Sequence, residues 1–103
     1  MSRPVKRSNI IDITSKAVKS GRLMYSYHAN VRMREREIIK PEVELILVSG
    51  YHEVRKDSYN VEFNSWDYAI KGKTLDARTL RIIVSIIDPN ILIITAIDLE
   101  KKD

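Results

Sequence analysis

The chain has no cysteine. That removes disulfides, thiolate nucleophiles, iron–sulfur clusters and thiolate zinc sites, and it suits a reducing compartment. Long apolar runs are missing as well. The longest, Ile82 to Ile87 and Ile91 to Ile97, fall far short of the roughly 20 residues a membrane helix needs. Met1 to Ser8 carries Arg3, Lys6 and Arg7, but no apolar segment follows to complete a secretory signal. A cytoplasmic protein without membrane contact is therefore expected. No Gly-rich loop is present to cradle a nucleotide, and no His-Glu-x-x-His, carboxylate cluster or Gly-x-Ser-x-Gly elbow occurs. Neither a cofactor nor a metal is expected on these grounds.

Repeats, low-complexity tracts and Gly/Ser linkers are also lacking, and only three glycines and three prolines punctuate the 103 residues. That length holds one domain, taken as residues 1–103 with 1–8 flexible. With 44% hydrophobic and 31% charged residues, the composition is that of a globular protein rather than a disordered one.

Charge is unevenly spread. Through Lys40 there are ten Lys/Arg against three Asp/Glu, a net of +7; from Pro41 onward eight face eleven, a net of −3. Such asymmetry gives one end of the molecule a positive field suited to a polyanion. Nucleic acid is the first candidate partner and an acidic protein the second, with a merely solvated basic surface as the alternative.

Asn9 can cap a first helix bearing Ile10, Ile13, Ala17 and Val18, which stops at Gly21. A short extended piece, Leu23 to Tyr25, leads to Ser26, an N-cap for a second helix over Tyr27 to Glu37. Pro41 suits the first turn of a third helix over Glu42 to Ser49, ended by Gly50. Beyond Gly50 the sequence turns β-branched and aromatic. Strands are predicted at Tyr51 to Arg55, Trp66 to Ile70, Thr79 to Ile87 and Ile91 to Ile97, the last two joined by an Asp88-Pro89-Asn90 hairpin. A helical half followed by an antiparallel meander is an α+β architecture of helices packed on a sheet of about four strands. The last two strands, apolar on both faces, belong mid-sheet, with helices on one side and further structure or a partner on the other.

On the second helix, at 100° per residue, Arg32 lies about 40° and Arg36 about 80° from His28, beside Ala29 and Met33. One imidazole and two guanidiniums thus border the buried stripe, where a planar guanidinium can be aimed at phosphate. The competing reading is a salt-bridged surface with Glu35 and Glu37, or an arginine bonding a strand carbonyl.

The pattern Tyr27-His28-Ala29-x-x-Arg32-Met33-x-x-Arg36-x-Ile38, followed by a helix with Val43 and Leu47 ending at Gly50, resembles an uncharacterised bacterial family with the hallmark His-Ala-x-x-Arg-Met-x-x-Arg-x-Ile. That family is grouped with the RelE/ParE-like toxins. The likeness runs from Tyr25 to Ile97, through a Tyr-x-x-x-Gly strand at Tyr68 to Gly72 and a final Ile94-Thr95. It implies a type II toxin that cuts messenger RNA, on the ribosome or off it, and is held by an acidic antitoxin. RelE-like ribonucleases share a fold rather than a catalytic set, using Lys, Arg, His and Tyr on the concave sheet face. In that chemistry the RNA 2′-hydroxyl attacks the neighbouring phosphate, so the protein moves two protons and stabilises charge, with no need of a metal.

The residues that fit those roles are His28 as acid/base, Lys71 and Arg81 as phosphate stabilisers and Tyr68 as hydroxyl donor or stacking face. Arg32, Arg34, Arg36 and Lys73 would grip the RNA backbone. Arg81 sits among Leu80, Ile82, Ile83 and Val84, where a charge needs a role, a partner or a path to water. Tyr68 and Lys71 have opposite parity, so sharing a face requires a bulge or help from Gly72. His52 is placed nearer the sheet surface than His28, Trp66 is read as core, and Asp57, Glu62 and Asp67 as solvated loop charges. Two other readings remain: a non-catalytic module binding nucleic acid or an acidic protein, and a gyrase-directed toxin of the same fold.

Overall fold

Gly21 ends the first helix by the means its position suggests. Its φ of +67° is the left-handed geometry glycine adopts without penalty. The amides of Gly21 and Arg22 then return to the carbonyls of Val18 and Ala17 at 3.2 and 2.9 Å, closing a Schellman motif. In the computed structural model, which describes residues 2–100, this helix α1 spans Ile10–Lys19. It buries Ile10, Thr14 and Ala17, and the Thr14 hydroxyl donates to the Leu47 carbonyl at 2.7 Å. The remaining elements are β1 (Leu23–Tyr25), α2 (Tyr27–Glu35), α3 (Lys40–Ser49), β2 (Tyr51–His52), β3 (Ser58–Asn60), β4 (Ser65–Lys73), β5 (Thr79–Ile87) and β6 (Asn90–Asp98), with a 3-10 turn at Val54–Lys56.

The architecture is α+β, with three helices and a six-stranded open sheet among the described residues. Its order is β1-β6-β5-β4-β2, with β3 also on β4. This corrects the expected four-stranded antiparallel sheet: β1 joins it parallel to β6, so the sheet is mixed. The extra strands, β1 and β3, are three residues each, too short for a period of two to stand out. Of the strand expected at Tyr51 to Arg55, only two residues pair, because the chain turns at Val54–Lys56 and hands the β4 edge to β3.

One side-chain parity of β4, β5 and β6 is sealed: Tyr68, Ile70, Leu80, Ile82, Val84, Ile91, Ile93 and Ala96 are buried with Val43, Ile46 and Leu47 of α3. Full burial of each large aliphatic stabilises by about 1.5–3 kcal/mol. A register shift at Ile83/Val84 lets β6 switch parity between Ile93 and Ala96 while keeping both in the core. Helix α2 takes over where β1 stops. Ser26 donates its amide to Ile93 and its hydroxyl to Ile94, while its oxygen accepts the Ala29 amide that starts the helix. The part of β6 that runs on past its pairing with β1 is therefore shielded by a helix rather than left open.

Residues ahead of α1, expected to be flexible, lie against β4. The Trp66 indole donates to the Pro4 carbonyl at 2.8 Å, the Arg7 amide donates to the Tyr68 hydroxyl at 2.8 Å, and Lys6 pairs with Asp57 at 2.7 Å.

Candidate functional site

The other parity of the sheet is only partly covered, and it carries the polar chemistry. Strand register sets three rungs across it: Asp67, Ser85 and Leu92; then Ala69, Ile83 and Thr95; then Lys71, Arg81 and Ile97. At about 3.3 Å per residue, the first and third rungs stand roughly 13 Å apart. The face thus has an acidic, hydroxylic end, an apolar middle and a cationic end.

At the cationic end Lys71 and Arg81 are direct cross-strand neighbours. The charge among aliphatics has a partner: Arg81 Nε donates to Glu53 Oε1 at 2.6 Å and Nη2 to Oε2 at 3.1 Å, a bidentate fork. That bond from Arg81 holds the Glu53 carboxyl below its ordinary value. A cavity of about 470 Å³ opens beside this pair, lined by Lys71, Glu53, Arg55 and Lys56 among others. Lys73, expected to bind RNA, is exposed at the end of β4.

Tyr68 does not join this group. Strand β4 pairs with β5 without a bulge, so alternation sends Tyr68 to the helix side. There it is 4% exposed, and its hydroxyl accepts the Arg7 amide.

Helix α2 brings His28 to the opposite end of the same face. His28 is exposed, and with Asp67 it lines a cavity of about 540 Å³. His28 and the Lys71/Arg81 pair therefore cannot touch one phosphate. Arg32 pairs with Glu35 at 2.9 Å on the surface, Arg34 is exposed, and Arg36 donates to the Ala96 carbonyl at 2.7 Å. The carbonyl-bonding role weighed for these arginines is what Arg36 performs, and the surface salt bridge is what Arg32 forms.

Two carboxylates read as solvated loop charges are buried in part or in full. Asp67 lies on β4 facing the larger cavity, where its Oδ1 is buried without a hydrogen-bond partner among the described residues. Burial raises its carboxyl above the ordinary carboxylate value. Its parity between Trp66 and Tyr68 was the available signal. Asp57 has a fully buried side chain that accepts the Ala69 amide at 2.9 Å and meets His52 Nε2 and Lys6 at 2.7 Å each. His52 also meets the Tyr68 ring edge-on, 5.6 Å between centroids, so the second histidine serves the β4 edge, apart from His28. Trp66 is half-buried against the core, with Lys6 4.9 Å over its ring. Among the described residues no group of three or more His, Asp or Glu is arranged to hold a metal, and no helix is long and apolar enough to cross a membrane.

The face, its cavity and α2 all fall within residues 25–98, which match the model of a domain of unknown function. The chain belongs to the DUF4258 family. The DUF4258 match coincides to within one residue with the stretch over which the sequence resembles an uncharacterised bacterial family. No curated protein and no solved structure matches the chain.

Proposed function

We propose that this DUF4258 domain is an RNA-directed toxin of the RelE/ParE kind, which lays a single RNA strand along the open sheet face and cleaves it beside His28. The observation that carries the reading is the in-register pair Lys71 and Arg81 on the uncovered parity of a sheet, with His28 on the same face about two rungs away. A single strand bound there would meet cations at one end and an acid/base at the other. His28 would take the 2′-hydroxyl proton as that oxygen bonds to phosphorus and pass it to the departing 5′-oxygen as the P–O bond breaks, with RNA itself the nucleophile. Lys71 and Arg81 would hold a neighbouring phosphate, not the scissile one. Arg34 and Lys73, both exposed, would add backbone contacts at the rim. An acidic antitoxin would neutralise the same face.

Glu53 competes with RNA for Arg81, and this yields a gain-of-function test. Glu53→Gln should tighten binding of a fluorescent oligoribonucleotide several-fold, whereas Lys71→Ala should weaken it and lower the log–log salt slope by about one unit. His28→Ala should leave binding intact and slow cleavage of that oligonucleotide roughly 100-fold. Unchanged salt slopes in Lys71→Ala would refute the cationic rung as the phosphate contact. Intact RNA after long incubation with active-folded protein would refute the nuclease.

A second reading has its own support. Arg81 and Arg32 are each satisfied by a carboxylate, and the middle of the face is aliphatic. A non-catalytic module docking an acidic, partly apolar protein segment would show RNA binding too weak to survive physiological salt, with His28→Ala without effect on growth arrest.

A further inference from the structure

The larger cavity asks for a ligand of mixed character. Phe63, Ile86, Leu92 and Ile94 give it apolar walls, and its volume of about 540 Å³ lies in the range of small-molecule pockets. Phe63 is 72% exposed, which leaves its ring free to stack on a flat ligand. The polar groups are few and specific. Asp67 contributes a carboxylate with a buried, unpartnered oxygen. Asn60 already accepts the Phe63 amide on its Oδ1 at 3.2 Å, leaving its NH2 to donate elsewhere. Ser65 and Ser85 add hydroxyls.

A phosphate is the wrong guest: Asp67 would repel it, and no lysine or arginine lines the cavity. A plain hydrocarbon is also wrong, since it would leave the carboxylate desolvated and unpaired. The fitting class is a flat ring whose edge offers adjacent N–H donors to a carboxylate and a carbonyl to an amide.

We propose that this cavity is a base-reading pocket for guanine, with the Asp67 oxygen that is not buried accepting from the N1–H and N2–H edge, Asn60 donating to O6 and Phe63 stacking on the ring. Of the four common bases only guanine presents two neighbouring donors and an acceptor on one edge. Single-stranded RNA is read in this manner elsewhere, by aromatic stacking and contacts to the Watson–Crick edge. The inference rests on the RNA reading above and adds sequence preference to it: a guanosine held beside His28 would fix which phosphate that imidazole meets.

Free nucleosides separate the pocket from the phosphate contacts, because they carry no charge for Lys71 or Arg81 to bind. Guanosine titrated into the full chain should shift the backbone amides of Ser85, Ile86 and Leu92, with affinity about 10-fold or more above adenosine, cytidine and uridine. Asp67→Asn should erase that preference, mainly by weakening guanosine. Phe63→Ala should weaken all four nucleosides alike. Asp67→Asn also reports its own folding. A carboxyl raised by burial costs stability at pH above its shifted value and nothing below its ordinary value of 3.8. The variant should therefore match wild type in strong acid and be at least as stable at neutral pH. Equal binding of all four nucleosides, or no shifts at millimolar guanosine, overturns the proposal and leaves the cavity to an apolar side chain of a protein partner. Salt-dependent RNA binding lost in Lys71→Ala would still stand in that case, so the two failures are distinguishable.

Discussion

Asp57→Ala should destabilise the fold by about 3–5 kcal/mol, the cost of removing one partner from a buried charged group. The carboxylate is fully enclosed and meets three donors from three parts of the chain: the β4 amide of Ala69, the β2 imidazole of His52 and the side-chain ammonium of Lys6 ahead of α1. Deleting it orphans a backbone N–H at a residue with no solvent exposure, and a buried unpaired donor costs about 1–3 kcal/mol by itself. It also frees the leading segment from the β4 edge. Asp57→Asn keeps an oxygen for the Ala69 amide and loses the charge, so it should forfeit roughly half as much. For a domain of this size the alanine variant should melt roughly 15 °C or more below wild type. Urea unfolding of the three proteins checks the ranking. Equal midpoints would show that the cluster is ornamental.

Gly50→Ala should cost about 3 kcal/mol or more, for a reason of space rather than of backbone freedom. Gly50 has φ −79° and ψ −167°, which any residue adopts. A β-carbon there would lie 2.6 Å from the Lys71 carbonyl oxygen and 2.7 Å from that of Ile46, both backbone atoms that cannot swing aside. The end of α3 crosses β4 at this point, where a β-carbon on Gly72 would come within 3.2 Å of the Gly50 Cα. Gly72→Ala meets looser contacts, 3.2 Å to the Gly50 Cα and 3.3 Å to the γ-carbons of Ile46, and should cost less, about 1–2 kcal/mol. Because Lys71 stands between the two glycines' contacts, Gly50→Ala should also weaken RNA binding under conditions where it remains folded. A Gly50→Ala protein with wild-type stability would mean that α3 and β4 do not cross so closely.

The sequence was most legible where local chemistry and tertiary structure agree. Gly21 stops α1, Ser26 caps α2, and the run Thr79 to Ile87 is β5 to the residue. Its apolar character on both faces correctly put it mid-sheet. The weaker signals were those written by distant partners. Arg81 announced itself as a charge among aliphatics, yet Glu53, 28 residues earlier, carried no local mark as its mate. Arg36 bonds a β6 carbonyl 60 residues away, which helix periodicity cannot show. Asp57 stands in a polar stretch that looks like a loop until its partners are placed, whereas Asp67 lay inside the strand expected at Trp66 to Ile70, where its parity was readable. The parity conflict between Tyr68 and Lys71, by contrast, was readable in advance, and alternation resolved it by burying Tyr68.

RNA bound along the partly covered face of the sheet would be mapped directly by amide chemical shifts. Titrating the 15N-labelled chain with a short oligoribonucleotide should perturb Ala69, Lys71, Arg81, Ile83 and Ser85 together with His28, and leave the amides of α1 and α3 in place. Shifts confined to those two helices, or none at low salt, would contradict it.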